Sequence, residues 1–173
     1  RISPEKGQHR LLEALRDWPT PLRVILAGEA AFMGGAAYRQ HLQGLADSLR
    51  HVRVEFPGHL SGQAKADAFA NADLYVFPSI SESYGLTLME ALSYGVPSIA
   101  FDHDGARAIL QPDCGVLVQS PAQLRTAIAS LLQDTARRSA MSAAAREFAH
   151  CRPFARAAES VASLLLGVAK LSA

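Results

Sequence analysis

The chain has 173 residues, 49% of them hydrophobic and 19% charged, which fits one compact domain with a sizeable core and excludes a disordered chain. Seventeen Lys and Arg stand against sixteen Asp and Glu, a formal charge of +1 with no basic block, which argues against a nucleic-acid-binding surface. The apolar stretch at 161–169 falls well short of the roughly 20 residues of a spanning helix, Arg1–Gly7 carry no apolar signal core, and Cys114 and Cys151 have no close-spaced partners, so the reading is a cytoplasmic protein with ordinary thiols.

In chain order, Gln8 to Asp17 reads as an opening helix, followed by a strand at Arg23–Ala27, a helix from Ala36 to Arg50 and a strand at Val52–Phe56. A helix from Gln63 to Asn71, a strand at Leu74–Phe77, a helix from Leu86 to Tyr94 and a strand at Ser98–Phe101 come next. A short helix from Gly105 to Leu110 and a strand at Val116–Val118 complete the alternation. Pro121, at a first helical position, opens a helix to Gln133, and two alanine-rich helices follow at Ala136–Ala149 and Phe154–Lys170. Strands alternating with helical segments predict an α/β domain on a doubly wound parallel sheet flanked by helices, with extra C-terminal helices and with residues 1–173 as a single domain. The continuous apolar character of the first, third and fourth strands predicts burial on both faces. Leu124, Ile128, Leu131 and Leu132 form a stripe that packs the 121–133 helix on the sheet. Such a sheet expects a strand ahead of the opening helix, yet only Arg1-Ile2 precede Ser3-Pro4, so a first strand and an upstream domain are expected outside this sequence.

The segment from Pro78 to Pro97 carries the chemistry. A buried strand ends at Phe77, a polar turn holds Glu82 and Gly85, and the next helix runs until Gly95 ends it, with Pro97 following. A strand end, a glycine and a helix N-terminus present backbone N–H groups and the positive end of a helix dipole to an anion, for which phosphate is the natural candidate. In open α/β sheets the ligand lies outside the carboxyl ends of the strands, where this turn sits. Glu82 belongs to the loop and Glu90 to the second helical turn, so they serve two ends of one ligand. Phosphate repels carboxylates, so their partners are neutral hydroxyls, and the ligand reads as a sugar nucleotide. The six histidines show no metal-ligand spacing, and no Walker A or Gly-x-Gly-x-x-Gly loop occurs. His103, between Asp102 and Asp104, follows the fourth strand at the ligand edge.

Glu82-x7-Glu90, inside Ser-Glu-Ser-Tyr-Gly-Leu-Thr-Leu-Met-Glu-Ala, resembles the Glu-x7-Glu motif of retaining glycosyltransferases with the GT-B fold, the family 4 or group 1 type. Arg1 to Gly7 resemble that family's Gly-Arg-x4-Lys-Gly start of the C-terminal domain, and Ile25–Gly28 its next strand and glycine. Phe56–Leu60 resemble the loop beside the base, and Ala72–Ser79 the strand leading into the motif. The resemblance implies one Rossmann-like half of a GT-B fold, the donor-binding one. It implies that Arg1 and Lys6 contact the donor diphosphate, that Gly58 and Leu60 border the nucleobase and that Glu82 lies at the donor sugar. Main-chain groups of Gly85, Leu86 and Thr87 would hold phosphate, and Glu90 the ribose hydroxyls. Two positions depart from the pattern: Ala108 stands where the family has an acidic residue, and Tyr84 where Phe is commoner.

The function expected is therefore retaining transfer from a nucleotide-diphosphate sugar, UDP- or GDP-linked, with no cofactor and no metal. Arg1, Lys6 and Glu82 would be the catalytic residues. The acceptor, a glycan, lipid or small molecule, would sit in an N-terminal domain absent from this chain. That absence would leave the fragment inactive alone, and peripheral membrane association would belong to the full-length protein. A GT-B-like sugar-nucleotide epimerase and a non-catalytic nucleotide-sugar-binding subunit are the alternatives.

Overall fold

The computed structural model describes residues 1–30 and 34–152, so the helix expected at 154–170 lies outside the described residues. A 3-10 turn (Pro4–Lys6) leads into α1 (Gln8–Ala14) and β1 (Leu22–Ile25), then α2 (Gly35–Asp47), β2 (Val52–Glu55), α3 (Gly62–Ala70) and β3 (Tyr75–Phe77). These are followed by α4 (Leu86–Ser93), β4 (Ser98–Phe101), α5 (Asp104–Arg107), β5 (Gly115–Val118), α6 (Pro121–Gln133) and α7 (Thr135–His150). All strand pairs are parallel: β1 beside β2, with Val24 opposite Val54, and β3, β4 and β5 in that order, with Ile99 between Val76 and Val116. The five expected strands and the helices between them are present, with ends displaced by a few residues.

Strand β4 explains the layering. Side chains alternate across a strand, and Ile99 and Phe101 join a core with Leu12, Leu15, Leu42, Leu124 and Leu131, whereas Ala100 joins a second core with Leu88, Leu92, Ile109 and Ala145. The described strands form two parallel sheets, β1–β2 and β3–β4–β5; residues of α1, α2 and α6 with Met141 of α7 fill the first core, and residues of α4, α5 and the rest of α7 the second. Leu124, Ile128 and Leu131 are buried as their stripe predicts, and Ser120 caps α6 by accepting the Gln123 N–H at 3.2 Å, with Pro121 next to it.

Three local expectations are corrected. Strand β1 is not buried on both faces: it alternates half-buried and exposed residues, with Ile25 37% exposed, because among the described residues it pairs with β2 alone. The opening helix stops at Ala14, not Asp17, where Asp17 takes φ 54°. Arg125 from α6 holds that end, its guanidinium donating to the carbonyls of Ala14 at 2.9 Å, Arg16 at 2.6 Å and Asp17 at 3.1 Å, so a tertiary contact sets the boundary. The helix expected over Gly105–Leu110 is the four-residue α5.

Parallel strands bring their carboxyl ends to one edge. Gly28 follows β1 and Gly58 follows β2, and the Gly28 N–H donates to the Gly58 carbonyl at 2.7 Å. The Ile2 N–H donates to the Glu29 carbonyl at 3.0 Å. Gly7, with φ 69°, lies so close to the Pro78 carbonyl that a Cβ there would collide with it. The N-terminal seven residues therefore run along this edge from the end of β1 to the end of β3.

Candidate functional site

The site is built around the β3–α4 connection. Phe77, Pro78 and Ser79 are buried, and the chain then turns outward through Ile80–Tyr84. Gly85 closes the turn at φ 96°, in the left-handed region, so its conformation selects glycine. Helix α4 starts at once, with the Leu88 N–H on the Gly85 carbonyl at 2.9 Å. Leu88, Ala91 and Leu92 anchor it in the core. A Schellman motif ends it: the Gly95 N–H bonds the Leu92 carbonyl at 2.8 Å, and the Val96 N–H the Ala91 carbonyl at 3.0 Å. Held at both ends, α4 aims its first-turn N–H groups, which have no intrahelical acceptor, at the strand-end edge.

The side chains around this N-terminus are tied across the chain. Lys6, delivered by the 3-10 turn, pairs through its ammonium with Glu82 Oε1, although 76 positions separate them. The buried Ser79 hydroxyl reaches the same Oε1 at 3.0 Å, the Glu5 carbonyl at 3.1 Å and the Ser81 carbonyl at 3.3 Å, three acceptors sharing one hydroxyl proton. An ammonium carries three donors, so Lys6 can keep Glu82 and still meet an anion. Arg1 is placed at the same edge, 3.9 Å from Glu5, with its carbonyl accepting from Gln8 at 2.8 Å. The Tyr75 hydroxyl, its phenol pushed up to about 12 by burial, stays protonated and donates to Thr87 Oγ1 at 2.8 Å. Leu86 is 63% exposed at the mouth.

Glu90, one turn further along α4, accepts from Lys65 of α3 at 2.6 Å. Gly58 and the half-buried Leu60 lie on the loop that leads from β2 to α3, where the Arg39 guanidinium stacks 3.4 Å above the Phe56 ring. Of the expected site residues, Lys6 meets Glu82 directly, Gly85–Thr87 open α4, Gly28 joins Gly58 to the edge that carries Arg1, and Glu90 meets Lys65. Ser79 carries no nucleophile geometry; it is a buried hydrogen-bond donor to Glu82. Lys65 was not foreseen, and no sequence signal marks it, because its partner lies 25 positions away on another helix.

His103 caps α5, its Nδ1 accepting the Ala106 N–H at 3.3 Å, which puts the proton on Nε2. Nε2 is buried without a hydrogen-bond partner among the described residues, and burial pushes the imidazole below its ordinary range. Its acidic neighbours turn away: Asp102 is held below the usual carboxylate range by Arg107, which sits 2.6 Å from it, and Asp104 also meets Arg107, at 3.1 Å. Gly105, in α5, lies against the carbonyl of Glu82, where a Cβ would collide with it, so α5 packs directly on the turn. Among the described residues no group of three or more His, Cys, Asp or Glu side chains is arranged to hold a metal ion. Among the same residues no helix is long and apolar enough to cross a membrane.

Residues 1–148 match the family described as Glycosyl transferases group 1. The chain is 34% identical over 173 residues to the D-inositol 3-phosphate glycosyltransferase of Corynebacterium diphtheriae, an alignment covering 95% of this chain and 40% of that protein. It is 30% identical over 155 residues to the GDP-mannose-dependent monoacylated alpha-(1-6)-phosphatidylinositol monomannoside mannosyltransferase of Corynebacterium glutamicum, covering 84% of this chain and 40% of that protein. Among solved structures, the Anabaena protein HepE in complex with UDP and glucose superposes with a TM-score of 0.88 at 27% identity, over 96% of this chain and 46% of that one. The chain spans about 40% of the length of these curated relatives.

Proposed function

Because this chain belongs to the group 1 glycosyl transferases, we propose that it is the donor-binding half of a GT-B enzyme of the retaining, family 4 type, and that it takes a nucleotide-diphosphate sugar at the β3–α4 turn. The observation that carries this reading is the α4 N-terminus, fixed by Gly85, beside the Lys6–Glu82–Ser79 cluster at the strand ends. An electropositive helix end next to a clamped carboxylate suits a ligand with phosphate at one point and sugar hydroxyls at the next.

In this reading the N–H groups of Gly85, Leu86 and Thr87 hold the diphosphate, and Lys6 and Arg1 add charge as the leaving diphosphate develops. Glu82, oriented by Ser79 and Lys6, accepts from the donor sugar. Glu90 accepts from the ribose, and Gly58 with Leu60 borders the base. The chain supplies this electrostatic stabilisation itself, with no resident cofactor or metal. Support for the donor class comes from the relatives' names, one GDP-mannose-dependent, and from HepE solved with UDP and glucose; both bases are kept for this chain. The acceptor, a glycan, lipid or small molecule, sits in a domain outside residues 1–173, so this segment alone transfers little or nothing. The full protein works in the cytoplasm and meets membranes peripherally when its acceptor is a lipid.

The test is product analysis on the full natural chain supplied with UDP- and GDP-linked α-hexoses and candidate acceptors. Formation of α-linked product, lost in Glu82→Gln, supports the reading. A β-linked product overturns retention, and sugar epimerised without an acceptor overturns transfer.

A further inference from the structure

Helix α3 is weakly rooted, with none of its residues buried. Two of its side chains, Phe69 and Lys65, tie it to neighbouring elements. Phe69 stacks on Tyr94, 5.4 Å between ring centroids, and lies 5.8 Å from Tyr75, which fixes the C-terminal half. In the N-terminal half, Lys65 bonds Glu90 of α4 at 2.6 Å, both side chains being 39% exposed. Ahead of that half runs the Gly58–Leu60 loop, and Glu90 itself leaves α4 in its second turn. One ion pair therefore joins the helix that follows the loop to Glu90 of α4.

We propose that Lys65 is a positioning residue for nucleoside recognition: its bond to one oxygen of Glu90 orients the other toward the ribose diol and fixes the Gly58–Leu60 loop over the same nucleoside. This rests on the ribose role of Glu90 given above and adds the group that makes Glu90 selective. A carboxylate on a flexible stem samples several rotamers, and a bonded ammonium selects one, so the hydroxyl bonds form at a lower entropic cost. Glu90 also holds the Lys65 ammonium of this latch above the usual lysine range.

The experiment measures dissociation constants on the full natural chain for uridine and guanosine diphosphates, their 2′,3′-dideoxy counterparts and inorganic pyrophosphate. The wild type is expected to favour the ribonucleotide of its preferred base about tenfold over the dideoxy form, the effect of a charge-assisted hydrogen bond. Glu90→Gln should bring that ratio close to one. Lys65→Met should lower it to about threefold or less while leaving pyrophosphate affinity unchanged, and Lys65→Arg should restore it. If Lys65→Met leaves the ratio intact while Glu90→Gln collapses it, the latch is wrong and the ribose role survives. If Glu90→Gln leaves it intact, both fail together. A loss of pyrophosphate affinity in Lys65→Met makes Lys65 a phosphate contact and overturns the positioning role.

Discussion

The two glutamates of the motif sit in different surroundings. Glu82 is 17% exposed and held by two donors, Lys6 from the N-terminal turn and the buried Ser79 three positions before it. Glu90 is 39% exposed and accepts from Lys65, on a helix with nothing buried. The same residue type eight positions apart is thus clamped among less exposed groups at one end and by a single half-exposed ion pair at the other. Transition-state stabilisation depends most on groups already in place, whereas pre-orienting a recognition group chiefly improves affinity. In the proposed reading, Glu82 at the sugar serves catalysis and Glu90 at the ribose serves affinity.

The largest expected effect breaks this comparison if it fails. Glu82→Gln should lower transfer by roughly a hundredfold or more with a small change in donor affinity, the signature of an interaction made in the transition state. Glu90→Gln should instead raise the donor KM about tenfold and leave kcat near the wild type. Equal kcat losses in the two variants would end the division of roles. Next in size is Gly85→Ala, which should cost about 1–2 kcal/mol through its left-handed φ, and should weaken nucleotide binding by moving the α4 N-terminus; unfolding curves and titration check both. Ser79→Ala removes the hydroxyl shared by Glu82, Glu5 and Ser81. It should cost about 0.5–1.5 kcal/mol in chemical unfolding, the net worth of the hydrogen bonds that the buried hydroxyl makes to part-buried acceptors. It should also lower kcat, as Glu82 loses an orienting bond.

Smaller is the pH dependence beneath the turn. Burial lowers the His103 pKa in the folded protein, so the stability its neutral form gives is fully present above the ordinary value of about 6.5 and is lost as pH falls through the lowered pKa. His9 is lowered by burial as well and acts in the same direction. The comparison is therefore with His103→Asn, which keeps an acceptor to cap α5. The wild-type advantage in Tm should shrink by about 1–3 °C between neutral pH and about pH 5. A constant advantage would remove His103 from the account. Smallest is salt: the half-exposed Lys65–Glu90 pair should make ribose discrimination weaken slightly at high ionic strength, while Glu82→Gln kinetics keep the same ratio to wild type.

How much of this was legible beforehand follows from whether a feature is local. Strand β4 could be read from its apolar run, and α6 from Ser120-Pro121 and its leucine stripe, because neighbouring residues decide them. The β3–α4 turn was legible for the same reason: Gly85, Gly95 and the two glutamates lie within one short segment. The end of α1 was not, since Arg125, more than a hundred positions away, holds its carbonyls. The exposure of β1 also escaped, because Val24-Ile25 read alike whether a strand has one neighbour or two. Within the site, Glu82 and Lys6 were legible as separate residues, but their contact, the Ser79 bond and the Lys65–Glu90 latch exist only once the chain is folded.

The central claim is that a nucleoside diphosphate binds at the N-terminus of α4. Amide chemical-shift mapping of the full natural chain, titrated with UDP and with GDP, tests it most directly. The account predicts that one of them saturates and shifts the Gly85, Leu86 and Thr87 amides most, with Gly58 and Leu60 next. A saturating titration that leaves those amides still and moves others would contradict it.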